Sequence, residues 1–241
     1  YIMDNTELEQ SSDDDCSTCL SPSDYNELVT SMHQNIYDIL TEDNGLMSVI
    51  AKGIKKKKDG RSLHPFKELQ LTFTKSSLPL LTKHEILLSY GKVFSDYMLE
   101  GLYFNELIYK CIPRNEPSSS LFHLYKDHLL YTNNSNHPSW LILLRFEFLF
   151  LKEIGYQLNH AYTDSYEINS NRLYYYEYGS GFKEAVNVSD NIITVSGICL
   201  GNLLKQKFEK INNVSNIRLI IKKIIKQILG DKDIKSYDIL R

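Results

Sequence analysis

Between Ala51 and Arg61 the chain reads Ala-Lys-Gly-Ile-Lys-Lys-Lys-Lys-Asp-Gly-Arg. Lys52, Lys55, Lys56, Lys57, Lys58 and Arg61 put six cations on a short stretch punctuated by glycines, and Lys67 follows at the start of the next expected strand. Phosphate is the natural partner of such a loop. If about five of these side chains neutralise phosphates on a single strand, the logarithm of affinity falls with the logarithm of salt at a slope of roughly −3.5. Contacts of this kind fix position without reading bases. A lysine run on a solvated loop tip is the alternative that the residues alone leave open.

Other chemistry-bearing residues are scattered. Lys222, Lys223 and Lys226 share one helix face, opposite Ile221, Ile224, Ile225 and Ile228, and Lys232 and Lys235 follow. They read as an extension of the phosphate path or as an ordinary solvated face. Arg145 and Glu147 interrupt an apolar helix, and buried charges persist only when paired. The expectation is an internal network with Asn105 or Glu106 of a facing helix. His123 and His128 lie five apart and are expected at the surface or at helix caps. No glycine-rich phosphate loop, HExxH motif or carboxylate cluster suited to two metals is present, so no catalytic site and no cofactor are expected. Cys16 and Cys19 form a lone C-x-x-C pair. A structural zinc needs about four ligands, so metal binding is not expected there.

The elements that position these residues follow from charge and periodicity. The 241 residues are 42% hydrophobic and 24% charged, with a net charge of −3. That total conceals strong segregation. Residues 1–24 carry seven acids and no Lys or Arg, residues 45–75 eight bases against two acids, and residues 205–241 ten bases against four acids. The acidic leader, residues 1–24, has little to bury and is expected to be disordered. It lacks the basic-then-apolar pattern of a secretion signal. Four widely spaced cysteines make no disulfide framework, which together point to a reducing cytoplasm. The longest apolar run, Trp140 to Leu151, is shorter than the roughly 20 residues of a membrane span, and no membrane partner is expected.

Short strand-like runs cover Tyr25 to Met32, Asn35 to Thr41, Leu46 to Lys52, Phe66 to Thr74 and Leu80 to Leu88, with Asp43-Asn44-Gly45 as a hairpin turn. Five strands over residues 25–90 predict a small barrel or sandwich, with Tyr37, Phe66 and Phe73 as candidate aromatic platforms. Helix periodicity then takes over for residues 91–241. Helices are predicted over Tyr97 to Cys111, Leu121 to Leu130, from Pro138 to the Gly155 stop, Ser196 to Lys210 and Ser215 to Leu229. A tyrosine-rich lobe at about 156–188 contains a hairpin around Gly179-Ser180-Gly181. The fold class is α+β.

Several runs, taken in order, resemble one family. Thr41-Glu42-Asp43-Asn44-Gly45, Val49-Ile50-Ala51-Lys52-Gly53 and Leu63-His64-Pro65-Phe66 are followed by Gly101-Leu102-Tyr103-Phe104-Asn105-Glu106-Leu107. Then come Arg145-Phe146-Glu147 with Leu151, Gly155 and Tyr156, and Leu229-Gly230-Asp231-Lys232-Asp233-Ile234-Lys235-Ser236. Their order and spacing are similar to those of the bacterial RecO family of DNA repair proteins, over about residues 28–240.

The resemblance implies a five-stranded OB-fold barrel, an arrangement that joins a positive groove to aromatic platforms, followed by a helical domain without a catalytic centre. It implies a cytoplasmic, nucleoid-associated recombination mediator that binds single- and double-stranded DNA and anneals complementary strands. Such a mediator helps load RecA onto DNA coated by single-strand-binding protein, together with RecR. It further implies that Arg145 borders a groove for the acidic, Phe-ending tail of single-strand-binding protein. The departures are the acidic leader, Leu144 where a second base is common, and the absence of the zinc cysteines many members carry just after the helix that ends at Gly155 and Tyr156. Tyrosines 162, 166, 174, 175, 176 and 178 are expected to pack that lobe instead. The competing class is a protein-interaction adaptor with weak DNA affinity, and a metal-dependent nuclease is the least supported.

Overall fold

The computed structural model describes residues 2–3, 34–52, 63, 65–156, 158, 168–187, 189, 191–230, 232 and 234–238. The expected strand at Tyr25 to Met32, most of the acidic leader, and Lys55, Lys56, Lys57, Lys58 and Arg61 of the basic loop lie outside them. Two compact units are distinguished, residues 1–96 with 112–122 and residues 97–111 with 123–241.

In the first unit β1 (Ile2–Met3), β2 (Gln34–Thr41) and β3 (Gly45–Lys52) form one antiparallel sheet, and β4 (Lys67–Phe73) pairs with β5 (Leu81–Ser89). The β2–β3 hairpin turns where Asp43-Asn44-Gly45 requires it. Thr41 Oγ1 accepts the Asn44 N–H at 3.1 Å, and Gly45 takes a φ of 68° that a side chain would resist. A Cβ at Gly45 would also stand 2.0 Å from the Glu116 carbonyl oxygen, so glycine is demanded twice. The alternating pattern of β2 and β3 sends Ile39, Met47, Val49 and Ala51 into a core shared with Leu63, against which Tyr37, Leu69, Leu71, Phe73 and Leu81 pack. Burying each large side chain contributes about 2 kcal/mol. The two hairpins are stitched by a parallel bridge at Ile50 and Leu80, with the Ile50 N–H donating to the Pro79 carbonyl at 2.8 Å. Among the described residues the strands do not close a barrel. A short helix, α1 (Gly91–Asp96), follows β5 and was not anticipated from the sequence.

The helices are α2 (Met98–Cys111), α3 (Ser119–Asn133), α4 (Ser139–Glu153), α5 (Gly197–Leu204) and α6 (Val214–Leu229). α3 runs several residues past the expected Leu121 to Leu130 at its C-terminal end. Pro138 is the residue before α4 rather than its first helical position. α4 is buried on nearly every side, from Leu141 to Leu151, as a sequence apolar all round except at Arg145 and Glu147 dictates. It ends where Gly155, at φ 86°, donates to the Lys152 carbonyl while Tyr156 donates to that of Leu151. This left-handed cap explains the stop at glycine.

One predicted helix is two elements. The stretch Ser196 to Lys210 breaks after Leu204, because Gln206 takes a left-handed φ of 55° and its N–H and that of Lys207 cap the Leu203 and Asn202 carbonyls. A 3-10 turn, Phe208–Lys210, follows, and the bend seats the buried Phe208 edge-on against Phe148 with ring centroids 5.6 Å apart. The lobe carries a three-stranded sheet in the order β7 (Gly181–Glu184), β6 (Leu173–Glu177), β8 (Thr194–Ser196), of which the first two are the expected hairpin. Tyr174 is buried, and its hydroxyl accepts the Asn169 N–H at 3.0 Å. Tyr178, by contrast, is 48% exposed, so among the described residues the tyrosines pack the lobe only in part, and Tyr162 and Tyr166 lie outside those residues.

Candidate nucleic-acid interface and partner groove

Of the cations expected to hold phosphate between Lys52 and Lys67, Lys52 closes β3 and Lys67 opens β4, where it is half-buried. The aromatic side chains proposed as platforms are mainly core. Phe66 is 1% exposed, and Tyr37 and Phe73 pack on the β2–β3 core. The second cationic group sits on α6 and beyond. Ile217, Ile220, Ile221, Ile224, Ile225 and Leu229 are its buried stripe, and Lys223 and Lys226 are exposed on the far side with Lys222 half-buried. Lys232 and Lys235 are exposed, and Lys232 Nζ reaches the Lys110 carbonyl at 3.4 Å.

Arg145 does not pair with Asn105 or Glu106. Its Nη1 lies 2.8 Å from His128 Nδ1, and its guanidinium carbon stands 4.3 Å from the centre of the Tyr131 ring. A guanidinium only donates, so Nδ1 must accept and His128 is neutral, with its proton on Nε2. Burial first, and the Arg145 charge second, hold His128 well below the ordinary histidine pKa. His128 is 1% exposed, packed edge-on to Phe104 at 4.8 Å, which corrects the surface or cap role expected of it. Tyr131 in turn stacks on His137 at 5.5 Å. The outcome is a half-buried cation held on an aromatic face, a geometry able to receive a carboxylate.

Glu147 is fully buried and draws its partners from two helices. Tyr103 of α2 donates to its Oε1 at 2.8 Å, and Arg218 of α6 stands 3.6 Å from the same oxygen. Burial is the largest influence on Glu147 and raises its pKa, with Arg218, Tyr103 and Lys222 pulling the other way. Arg218 escaped the sequence reading, although its spacing one helical turn before Lys222 was a usable signal. Asn105 instead accepts the Tyr125 hydroxyl.

Glu106 joins two of the motifs that carried the resemblance. Its carboxylate accepts the Lys235 N–H at 2.8 Å, the Ser236 N–H at 2.9 Å and the Ser236 hydroxyl at 2.6 Å, with Lys110 one turn along at 2.6 Å. Burial raises its pKa, but these hydrogen bonds outweigh it and hold the carboxyl below its ordinary range. The Asn-Glu-Leu helix and the closing Lys-Ser are thus one physical clasp.

Tyr156 to Gly181 contains no cysteine, and among the described residues no three His, Cys, Asp or Glu side chains gather into a metal-holding group. Among the described residues, too, no helix is long and apolar enough to cross a membrane.

Residues 96–236 match the family described as Recombination protein O C terminal. The chain is 30% identical over 209 residues to the DNA repair protein RecO of Mannheimia succiniciproducens, an alignment that covers 85% of this chain and 91% of that protein. It is 27% identical over 210 residues to the DNA repair protein RecO of Pseudoalteromonas translucida, covering 86% and 90%. To that of Salmonella enteritidis it is 26% identical over 212 residues, covering 85% and 86%. The chain belongs to the RecO family.

Proposed function

We propose that this protein acts in recombinational DNA repair as a non-enzymatic mediator. It binds single- and double-stranded DNA, anneals complementary strands and, with RecR, helps load RecA onto DNA coated by single-strand-binding protein. The observation that carries this reading is the alignment of most of the chain with proteins named DNA repair protein RecO. A cytoplasmic, nucleoid-associated location goes with it.

In this reading residues 25–90 form a five-stranded OB-fold, and residues 91–241 form the helical domain. Lys52, Lys55, Lys56, Lys57, Lys58, Arg61 and Lys67 hold phosphates at its rim, and Lys222, Lys223, Lys226, Lys232 and Lys235 extend the path. Annealing follows if cations screen two phosphate backbones while bases stay free to pair. Arg145, backed by Tyr131, holds the terminal carboxylate of the tail of single-strand-binding protein.

Annealing of complementary strands coated with single-strand-binding protein tests the reading, with Lys55 to Lys58 changed to Glu. Wild type accelerates annealing, and the charge reversal abolishes it and weakens DNA binding about a hundredfold or more at low salt. Annealing and affinity that survive the reversal refute the assignment of the loop. A wild type without annealing or DNA affinity favours the adaptor class.

A further inference from the structure

We propose that His128 is a positioning residue for the partner groove: its imidazole accepts from Arg145 Nη1 and so aims the Nε–Nη2 edge of the guanidinium at the terminal carboxylate of the docked tail. The inference deepens the reading of Arg145 proposed above and rests on it.

Arg145 is a cation without an anion. It is half-buried on α4, and its hydrogen bond among the described residues goes to an imidazole rather than to a carboxylate. Asp127, whose charge it feels, is exposed and makes no ion pair with it among those residues. Nη1 is held at 2.8 Å by His128 Nδ1, and the guanidinium lies over the Tyr131 ring with its central carbon 4.3 Å from the ring centre. One contact sets the direction of the group and the other sets its plane. Nε and Nη2 are left without a protein acceptor among the described residues, and neither is among the side-chain atoms sealed off without a partner. Together they are the side of the fork that meets both oxygens of a carboxylate in parallel.

His128 is built to hold that arrangement. Phe104 stands edge-on to it at 4.8 Å between ring centres, Phe146 lies at 5.1 Å and Tyr131 at 5.8 Å. Thr132 Oγ1 donates to the His128 carbonyl at 2.9 Å and fixes the backbone beneath the ring. A proton on Nδ1 would set two donors against each other at 2.8 Å, so Nδ1 presents its lone pair. The arrangement has a cost, because Nε2 is buried without a hydrogen-bond partner among the described residues. Phenylalanine would fill the same aromatic cage without an orphaned nitrogen. What the imidazole adds is an acceptor for Arg145.

The full chain is titrated by calorimetry with a short Asp-rich peptide ending in Phe, once with a free terminal carboxylate and once with that carboxylate amidated. The ratio of the two affinities isolates the terminal carboxylate from the rest of the peptide. In the wild type the free acid should bind roughly 10- to 100-fold more tightly, the worth of a charge-assisted pair. Arg145→Ala should abolish the ratio. His128→Phe should reduce it to about threefold or less while leaving the affinity for the amidated peptide unchanged. His128→Asn, whose Oδ1 takes the place of Nδ1, should restore most of it. In the Arg145→Ala background, His128→Phe should have no further effect.

A ratio kept by His128→Phe but lost in Arg145→Ala overturns the positioning role and leaves the Arg145 reading intact. No ratio in the wild type, or one that survives Arg145→Ala, overturns that reading and the inference with it. An equal loss of affinity for both peptides in His128→Phe, or a ratio that His128→Asn fails to restore, makes His128 a packing residue only and overturns the inference. If His128→Phe melts early by circular dichroism, nitrogen-15 NMR of the unaltered protein carries the test. A neutral ring with its proton on Nε2 is expected, and a proton on Nδ1 overturns the inference.

Discussion

Replacing Arg218 by Met should destabilise the protein in a way that depends on pH. The side chain is 16% exposed and its guanidinium faces the wholly buried Glu147 carboxylate at 3.6 Å. Met keeps most of the apolar stem and removes the charge. At an effective dielectric of about 20, the gross attraction at this distance is about 4–5 kcal/mol. The observed loss must be smaller, because Glu147 can take up a proton instead. Keeping neutral a carboxyl whose unfolded pKa is about 4.3 costs about 3.5 kcal/mol at pH 7.

The loss at pH 7 is therefore about 2–3 kcal/mol, and it shrinks by up to about 1.4 kcal/mol per pH unit towards pH 5. The sign follows from a folded-state pKa raised above the unfolded one. The native state then binds the proton more tightly, so its stability falls as pH rises from the unfolded pKa through the folded one. Glu147→Gln, which preserves an acceptor for Tyr103, should be close to neutral or stabilising at pH 7. The double variant should lie within about 1 kcal/mol of wild type, as isosteric removal of a buried pair generally does. Urea denaturation of all four proteins at pH 5 and pH 7 measures this. A cost for Arg218→Met that is the same at both pH values, or larger in the double variant, would refute the reasoning.

Four further outcomes are expected. Gly45→Ala meets both a left-handed φ and the Glu116 carbonyl at 2.0 Å, and should lower stability by about 2–4 kcal/mol in thermal denaturation. Ser236→Ala removes a 2.6 Å hydrogen bond to a carboxylate and should cost about 1–2 kcal/mol in the same assay. His128, faced by Arg145 and by the Phe104, Tyr131 and Phe146 rings, resists protonation. Stability should decline as pH falls below about 6.5, by up to about 1.4 kcal/mol per unit, and His128→Gln should flatten that limb. Arg145→Ala should weaken binding of a Phe-ending acidic peptide about tenfold or more by calorimetry, with Arg145→Lys only partly restoring it because the stacked plane is lost.

What could be read from the chain was punctuation and period. The Asp43-Asn44-Gly45 turn, the Gly155 stop, the Gly179-Ser180-Gly181 hairpin and the isoleucine stripe of α6 are local, and local rules found them. The break at Gln206 was missed because a left-handed glutamine leaves no mark in composition. It is held by burial of Phe208 against Phe148, a contact between distant residues. The partners of Glu147 failed for the same reason. Sequence identified a buried charge that needed company, but only folding selects Tyr103 and Arg218 from the many candidates. Tyr37 and Phe73 misled because an aromatic residue on a strand faces the core or the ligand according to a register that alternation alone does not fix, and Phe66 because it precedes β4 at a left-handed φ of 62° that composition does not mark.

The clasp on Glu106 has a bearing on how the chain is made. Its carboxylate is synthesised 130 positions before the serine that satisfies it. At ribosomal speeds of about 5–20 residues per second, roughly 6–26 seconds pass before Lys235 and Ser236 emerge. Throughout that interval α2 carries an acceptor served only by Lys110, one turn away. The helical unit cannot reach its final form before Lys235 and Ser236 emerge, and a message truncated just before Lys235 would leave a nascent product open to proteolytic surveillance at that seam.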